Sequence, residues 1–173
     1  MVRFLIHHTA DGKSVFFSQF YGTNITAERL EAAVEILRSY IRQDRDREGV
    51  PAGDAQRLAT FVVDTLDFSN ATNKAFHDEF EGLQVVYCDL GSIVVSLGLD
   101  PTDSAFIAQG FLTTWIAQLK RHFKTNVIVG IYERVDEICA LLSKLLPLGQ
   151  LLLTNPTYLE YLKNEAVALT RAM

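Results

Sequence analysis

The sequence has little of what disulfide stapling, metal binding or membrane insertion would need. Only two of its 173 residues are cysteine, Cys88 and Cys139. Each stands among apolar neighbours, so both read as small core residues of a reduced, cytosolic protein. No apolar run approaches the roughly 18 residues of a membrane span. The stretch Met1–His8 is too short an apolar run for a secretory leader. Basic charge does not prevail either: 16 Lys and Arg against 21 Asp and Glu give a formal charge of −5, which argues against binding a phosphate backbone. Lys120, Arg121, His122 and Lys124 do cluster, where cations suit the C-terminal end of a helix dipole. Glycine forms no phosphate-binding loop, since Gly110 and Gly130 are isolated.

Catalytic constellations are equally sparse. His7 and His8 are adjacent and, in a strand, point to opposite faces. His77 lies in a polar stretch and His122 at a helix end, so no metal-ligand spacing exists and no cofactor is expected. The serines lack a nucleophile-elbow sequence. Arg42–Glu48 (RQDRDRE) reads as a solvated helix end. Asp136 and Glu137, about 100° apart on a helix, read as an exposed face. The expectation is a protein that is not an enzyme.

What is present is apolar surface. At 49% hydrophobic residues, the chain can bury one sizeable core and reads as a single domain over residues 1–173, with a poorly patterned region at about 45–82. Val2–His8, the Asp11-Gly12 turn and the alternating Ser14–Tyr21 segment predict an opening β-hairpin. Thr26–Asp44 predicts a helix with Thr26 as its N-cap and Leu30, Val34, Leu37 and Ile41 on one side. Asp54–Leu66 predicts another, from Leu58, Phe61, Val62 and Leu66. Gly82–Asp89 and Ser92–Leu99 read as strands, the second apolar on both faces as a covered central strand should be. Asp103 is expected to cap a helix over Ser104–Phe123 that is apolar around more than half its girth, hence buried by the sheet and by something else.

The most distinctive stretch is Tyr132–Leu162. Val135, Ile138, Cys139, Leu142, Leu145 and Leu146 recur at helical spacing. Pro147 and Gly149 stop that helix, and Asn155-Pro156 reads as the N-cap and first position of another. The order of elements is α+β: an antiparallel sheet of four to five strands with helices packed on its faces.

Three segments, in this order, resemble the sigma-type small subunits of adaptor protein complexes, which have the longin fold. They are MVRFLIHHTADGKSVFFSQFY, VVYCDLGSIVVSLGLDPTDSAF and VDEICALLSKLLPLGQLLLTNPTYLEYL. The third, with Phe4-Leu5-Ile6-His7 and Thr9 near the start, is most similar to the sigma subunit of the fifth adaptor complex. The resemblance covers about residues 1–21 and 84–165. It implies a non-catalytic member of a heterotetramer in endosomal vesicle trafficking and sorting, packed on a large zeta-type subunit beside beta-type and mu-type chains. It also implies joint action with spatacsin and spastizin, and a cytoplasmic location on late endosomes and lysosomes, reached through partners. Some sigma chains help bind acidic dileucine signals. Ile93, Ile116 and Ile131 lie near the corresponding pocket, although a core needs apolar residues there too. The candidate partner or cargo surface is thus Ile93, Trp115, Ile116, Ile131, Val135, Ile138 and Leu142. Another longin-type module, SNARE-like or from a tethering complex and binding a small GTPase, fits the same order of elements.

Overall fold

A computed structural model describes residues 1–22, 24, 26–48, 56–64, 68, 74–123, 130–131, 133–151, 161, 164 and 168. The chain opens as the predicted hairpin, β1 (Val2–Thr9) and β2 (Val15–Phe20). Its turn is closed by Thr9 N–H donating to Ser14 O at 2.8 Å. The Asp11 carboxylate accepts from Thr9 Oγ1 at 2.6 Å and Lys13 N–H at 3.1 Å. Short polar side chains that bond their own backbone make such turns.

Helix α1 spans Ala27–Glu48. Thr26 caps it, its Oγ1 accepting from Arg29 N–H at 3.2 Å. The charged end is solvated at Arg42, Gln43, Asp46 and Arg47, as its composition implies, but Asp44 and Arg45 turn inward. Asp44 accepts from Arg57 at 2.6 Å and from the Tyr87 hydroxyl, while Arg45 pairs with Asp89 at 2.6 Å. These charges fasten the last turns of α1 to the sheet, so the helix continues beyond Asp44.

The helix expected over Asp54–Leu66 is overturned. Arg57–Val62 is a strand, β3, paired antiparallel with β4 (Gln84–Asp89) from Arg57↔Asp89 to Val62↔Gln84. Leu58 and Phe61 are three apart, which mimics a helical stripe. In the strand they point to opposite faces, Leu58 into the core under α3 and Phe61 into the core under α1. A short helix, α2 (Lys74–Asp78), precedes β4, and β5 (Ile93–Leu99) follows it. All pairings are antiparallel, and the sheet runs β2-β1-β5-β4-β3.

Two more helices follow: α3 (Ala105–His122) and α4 (Val135–Leu145). Ser104, not Asp103, caps α3, its side chain accepting from Ile107 N–H. Asp103 and Asp100 instead hold the Met1 amino group, and Asp100 also accepts from Arg3 at 2.5 Å. The sheet thus carries a core on each face. Phe4, Ile6, Val85, Tyr87 and Val94 meet α1, whereas Leu5, Val86, Val95, Leu97 and Leu99 meet α3 and α4. Helix α4 shares that face with α3: Trp115, Ile116, Ile138 and Leu142 belong to one cluster with the sheet residues.

Adjacent His7 and His8 do diverge. His7 lies against Phe17 and Trp115 and accepts from the indole N–H at 3.0 Å. His8 Nδ1 meets Thr9 O at 2.7 Å, with Asp89 and Arg45 in its electrostatic field.

Candidate partner-binding surface

The helix–stop of the distinctive stretch builds a groove. Asp136 and Glu137 lie in the first turn of α4 and Lys144 in its last, charges that suit the helix dipole. Glu137 is not on an exposed face. It meets His122 at 2.5 Å and Arg134 at 2.5 Å, which locks the start of α4 to the end of α3. Burial raises its carboxyl pKa, but Arg134 and His122 outweigh this and hold it below the usual range.

At the other end of α4, Leu146 N–H still bonds to Leu142 O at 2.8 Å. Pro147–Gly149 then makes one 3-10 turn, closed by Gln150 N–H to Pro147 O at 2.9 Å. Leu148, at the apex, has φ +51° and is 82% exposed. A leucine held in the left-handed region with its side chain in solvent is unfavourable on both counts. Gly149 follows at φ +78°, and a Cβ there would stand 2.7 Å from Val2 O and 3.0 Å from the Tyr21 ring. The turn is therefore pressed against the first strand. Gly149→Ala is expected to destabilise the chain by about 2 kcal/mol, because both the backbone conformation and the backbone oxygen oppose a methyl group; chemical denaturation measures it.

Between this turn and the end of β2 lies an open groove of about 610 Å³, lined by Phe20, Tyr21, Cys139, Leu142, Leu146 and Leu148 among others. Cys139 is exposed there, contrary to its reading as a core residue, whereas Cys88 is buried. Burial raises the Cys139 thiol pKa and Asp136 adds to the shift, so the protonated thiol prevails at neutral pH. Burial also raises the Tyr21 hydroxyl pKa. Among the described lining residues the groove offers contact area and no converging acid and base. Among the described residues, no three His, Cys, Asp or Glu side chains gather to hold a metal ion. No described helix is long and apolar enough to cross a membrane.

The strand order, the helix on one face and the helix pair on the other have a counterpart among known structures. A chain of a homology model of the full-length AP-3 complex in a stretched open conformation matches with a TM-score of 0.64. The match covers 99% of this chain and 95% of that one, at 16% identity. The fold is longin-like. At that identity the likeness is one of fold. No family model and no curated protein sequence matches the chain.

On this longin-like frame, most of the candidate surface residues face inward. Ile93, Trp115, Ile116, Ile131, Ile138 and Leu142 are all buried in the chain itself. Of the seven, only Val135 is presented to solvent, at 43% exposure, while Leu142 contributes to the groove wall. The apolar excess that reads as a partner surface is spent on α3, α4 and the sheet packing together. Sequence reasoning missed Leu148 and Tyr21. Leu148 carries one available signal, its place between Pro147 and Gly149, which marks the apex of a turn. The second-helix reading at Asn155-Pro156 lies outside the described residues.

Proposed function

We propose that this chain is a non-catalytic small subunit of a heterotetrameric adaptor complex, sigma-type and of the fifth-complex kind. The single observation that carries the reading is a longin-like fold that matches a chain of an adaptor complex over nearly the full length of both. The segment LLPLGQLLLTN and the opening hairpin sequence support the finer assignment. The groove beside α4 supports a packing role, because a leucine displayed in a strained backbone is stabilised when a partner covers it. In this reading the chain packs on a large zeta-type subunit beside beta-type and mu-type chains. It reaches late endosomes and lysosomes through the assembly, in which spatacsin and spastizin also act.

The test is gentle isolation of the tagged chain from its native cell. The expected result is a stoichiometric large helical-solenoid chain with two further adaptor chains. Nucleotide-dependent capture of a small GTPase with no adaptor chain would overturn the reading in favour of a tethering or SNARE-like module. A point variant sharpens it: Leu148→Asp is expected to lower recovery of the large chain about tenfold, the effect of ~1.4 kcal/mol. The chain's own thermal stability should stay nearly constant, since the side chain is 82% exposed. Co-purification followed by quantitative mass spectrometry reads both the partner and the ratio.

A further inference from the structure

Strand β3 is an edge of the sheet, and its outer side has no partner strand among the described residues. Just past its end, Val63 N–H donates to Leu83 O at 2.9 Å and Val63 O accepts from Gly82 N–H at 3.0 Å. Backbone direction alternates along a strand. Counting back in twos, Phe61 and Ala59 turn their backbone groups towards β4, while Val62, Thr60 and Leu58 turn theirs outward. A second observation lies beside this row. Gln109 of α3 bonds to Thr60 Oγ1 at 3.2 Å, so the α3 face that carries Gln109 runs along the same side of β3. One turn earlier on that face stands Phe106, 83% exposed, and two residues further along β3 stands Val62, 57% exposed. Among the described residues, the outward groups of β3 thus have no partner strand, and two exposed apolar side chains, Val62 and Phe106, stand on the face beside them.

We propose that the β3 edge is a docking site for an extended segment of a partner protein. That segment adds a sixth strand and sets an aliphatic or aromatic side chain against Val62 and Phe106. The ladder fixes the occupant as extended backbone with its own unpaired N–H and C=O groups. The pair at its end fixes one apolar residue of that segment. A helix would leave the outward groups of Leu58, Thr60 and Val62 unbonded. This edge lies on the opposite side of the sheet order from β2 and the Leu148 groove, so it is a separate surface.

The test uses the full chain in its native cell with a photo-crosslinking amino acid in place of Phe106, followed by sequencing of the crosslinked peptide. The expected product joins position 106 to an aliphatic or aromatic residue of a segment from another protein. Val62→Pro provides the decisive comparison. It removes an outward N–H and leaves the β3–β4 ladder intact, a substitution that edge strands tolerate. It is expected to reduce the crosslink about tenfold, the loss of one backbone hydrogen bond and its local fit. Val62→Thr, which keeps the N–H and the branched shape, should reduce it far less. No crosslink, a crosslink insensitive to Val62→Pro, or a crosslink to a second copy of this chain would each overturn the proposal. Folding of the Pro variant is checked by unchanged recovery of whichever chains co-purify through other surfaces; if that recovery falls, Val62→Lys replaces it and an unchanged crosslink then counts against the site.

Discussion

Gly98→Ala is expected to destabilise the chain by about 3 kcal/mol, because the site leaves no room for a methyl group. Gly98 lies in β5 at the centre of the sheet, directly opposite Phe4 of β1. A Cβ there would fall 2.3 Å from Phe4 Cε1 and 2.6 Å from its Cζ. The ring has nowhere to retreat: it packs on Phe20 at 5.8 Å and edge-on to Phe80 at 5.9 Å, and all three are buried. Phe4 in effect supplies the side chain that Gly98 lacks, an aromatic laid over a strand glycine. For a chain of this size the expected fall in Tm is roughly 10 °C. Shortening the ring should relieve the clash, so Gly98→Ala combined with Phe4→Leu is expected to be less destabilised than the two single effects summed. A double-mutant cycle measures that coupling. Strict additivity would mean that the ring and the glycine do not share the space.

Local pattern made much of this fold legible. The hairpin announces itself through Asp11-Gly12 between two apolar runs, and the observed turn uses both residues. The central strand β5 reads as covered on both faces, and every residue of it is buried. Helix α1 is signalled by Thr26, its apolar stripe and the charged run Arg42–Glu48 at its end, but the inward contacts of that run are not. Those contacts depend on Asp44 and Arg45 finding Arg57, Tyr87 and Asp89 from distant segments. Strand β3 failed for a related reason. Its hydrophobic residues serve two cores, and a two-sided strand with apolar residues three apart has the same spacing as a helix face.

The candidate surface was legible as a quantity of apolar side chains and not as their direction. A sequence shows that α3 and α4 have more apolar girth than one sheet can cover. It does not show that both helices turn those side chains into one cluster with the sheet, where Trp115, Ile116 and Ile138 are buried. Among the described residues, the large apolar side chains left exposed include Leu148 at a forced turn, Val135 at a helix start, Phe106 and Ile107 early in α3, and Val62 at a sheet edge.

Lowering the pH from 7 to 5 is expected to cost about 2 kcal/mol of stability through His7 alone. His7 is fully buried, and burial, with His8 alongside, pushes its pKa down from 6.5 to about 3. The indole N–H of Trp115 donates to its Nε2 at 3.0 Å, so the neutral ring carries its proton on Nδ1. The sign follows from proton uptake. Between pH 6.5 and 3 the unfolded chain binds a proton that the folded chain refuses, so stability is complete above pH 6.5 and falls as the solution becomes more acidic, by up to about 1.4 kcal/mol per pH unit. Burial lowers the His8 pKa as well, which adds a contribution of the same sign. The carboxylates held low by ion pairs, Asp100 and Glu137, act in a more acidic window, as pH falls through their depressed values. His7→Gln separates these contributions, since an amide oxygen can still accept from Trp115 but cannot titrate. It is expected to cost about 1 kcal/mol at pH 7 through imperfect fit, yet to lose about 2 kcal/mol less than the parent chain between pH 7 and pH 5. His7→Leu, which leaves the Trp115 N–H without its acceptor, should be the less stable of the two at pH 7 by ~1–3 kcal/mol. Urea denaturation at the two pH values gives both slopes. Equal slopes for the parent and the Gln variant would show that His7 takes up its proton inside the fold.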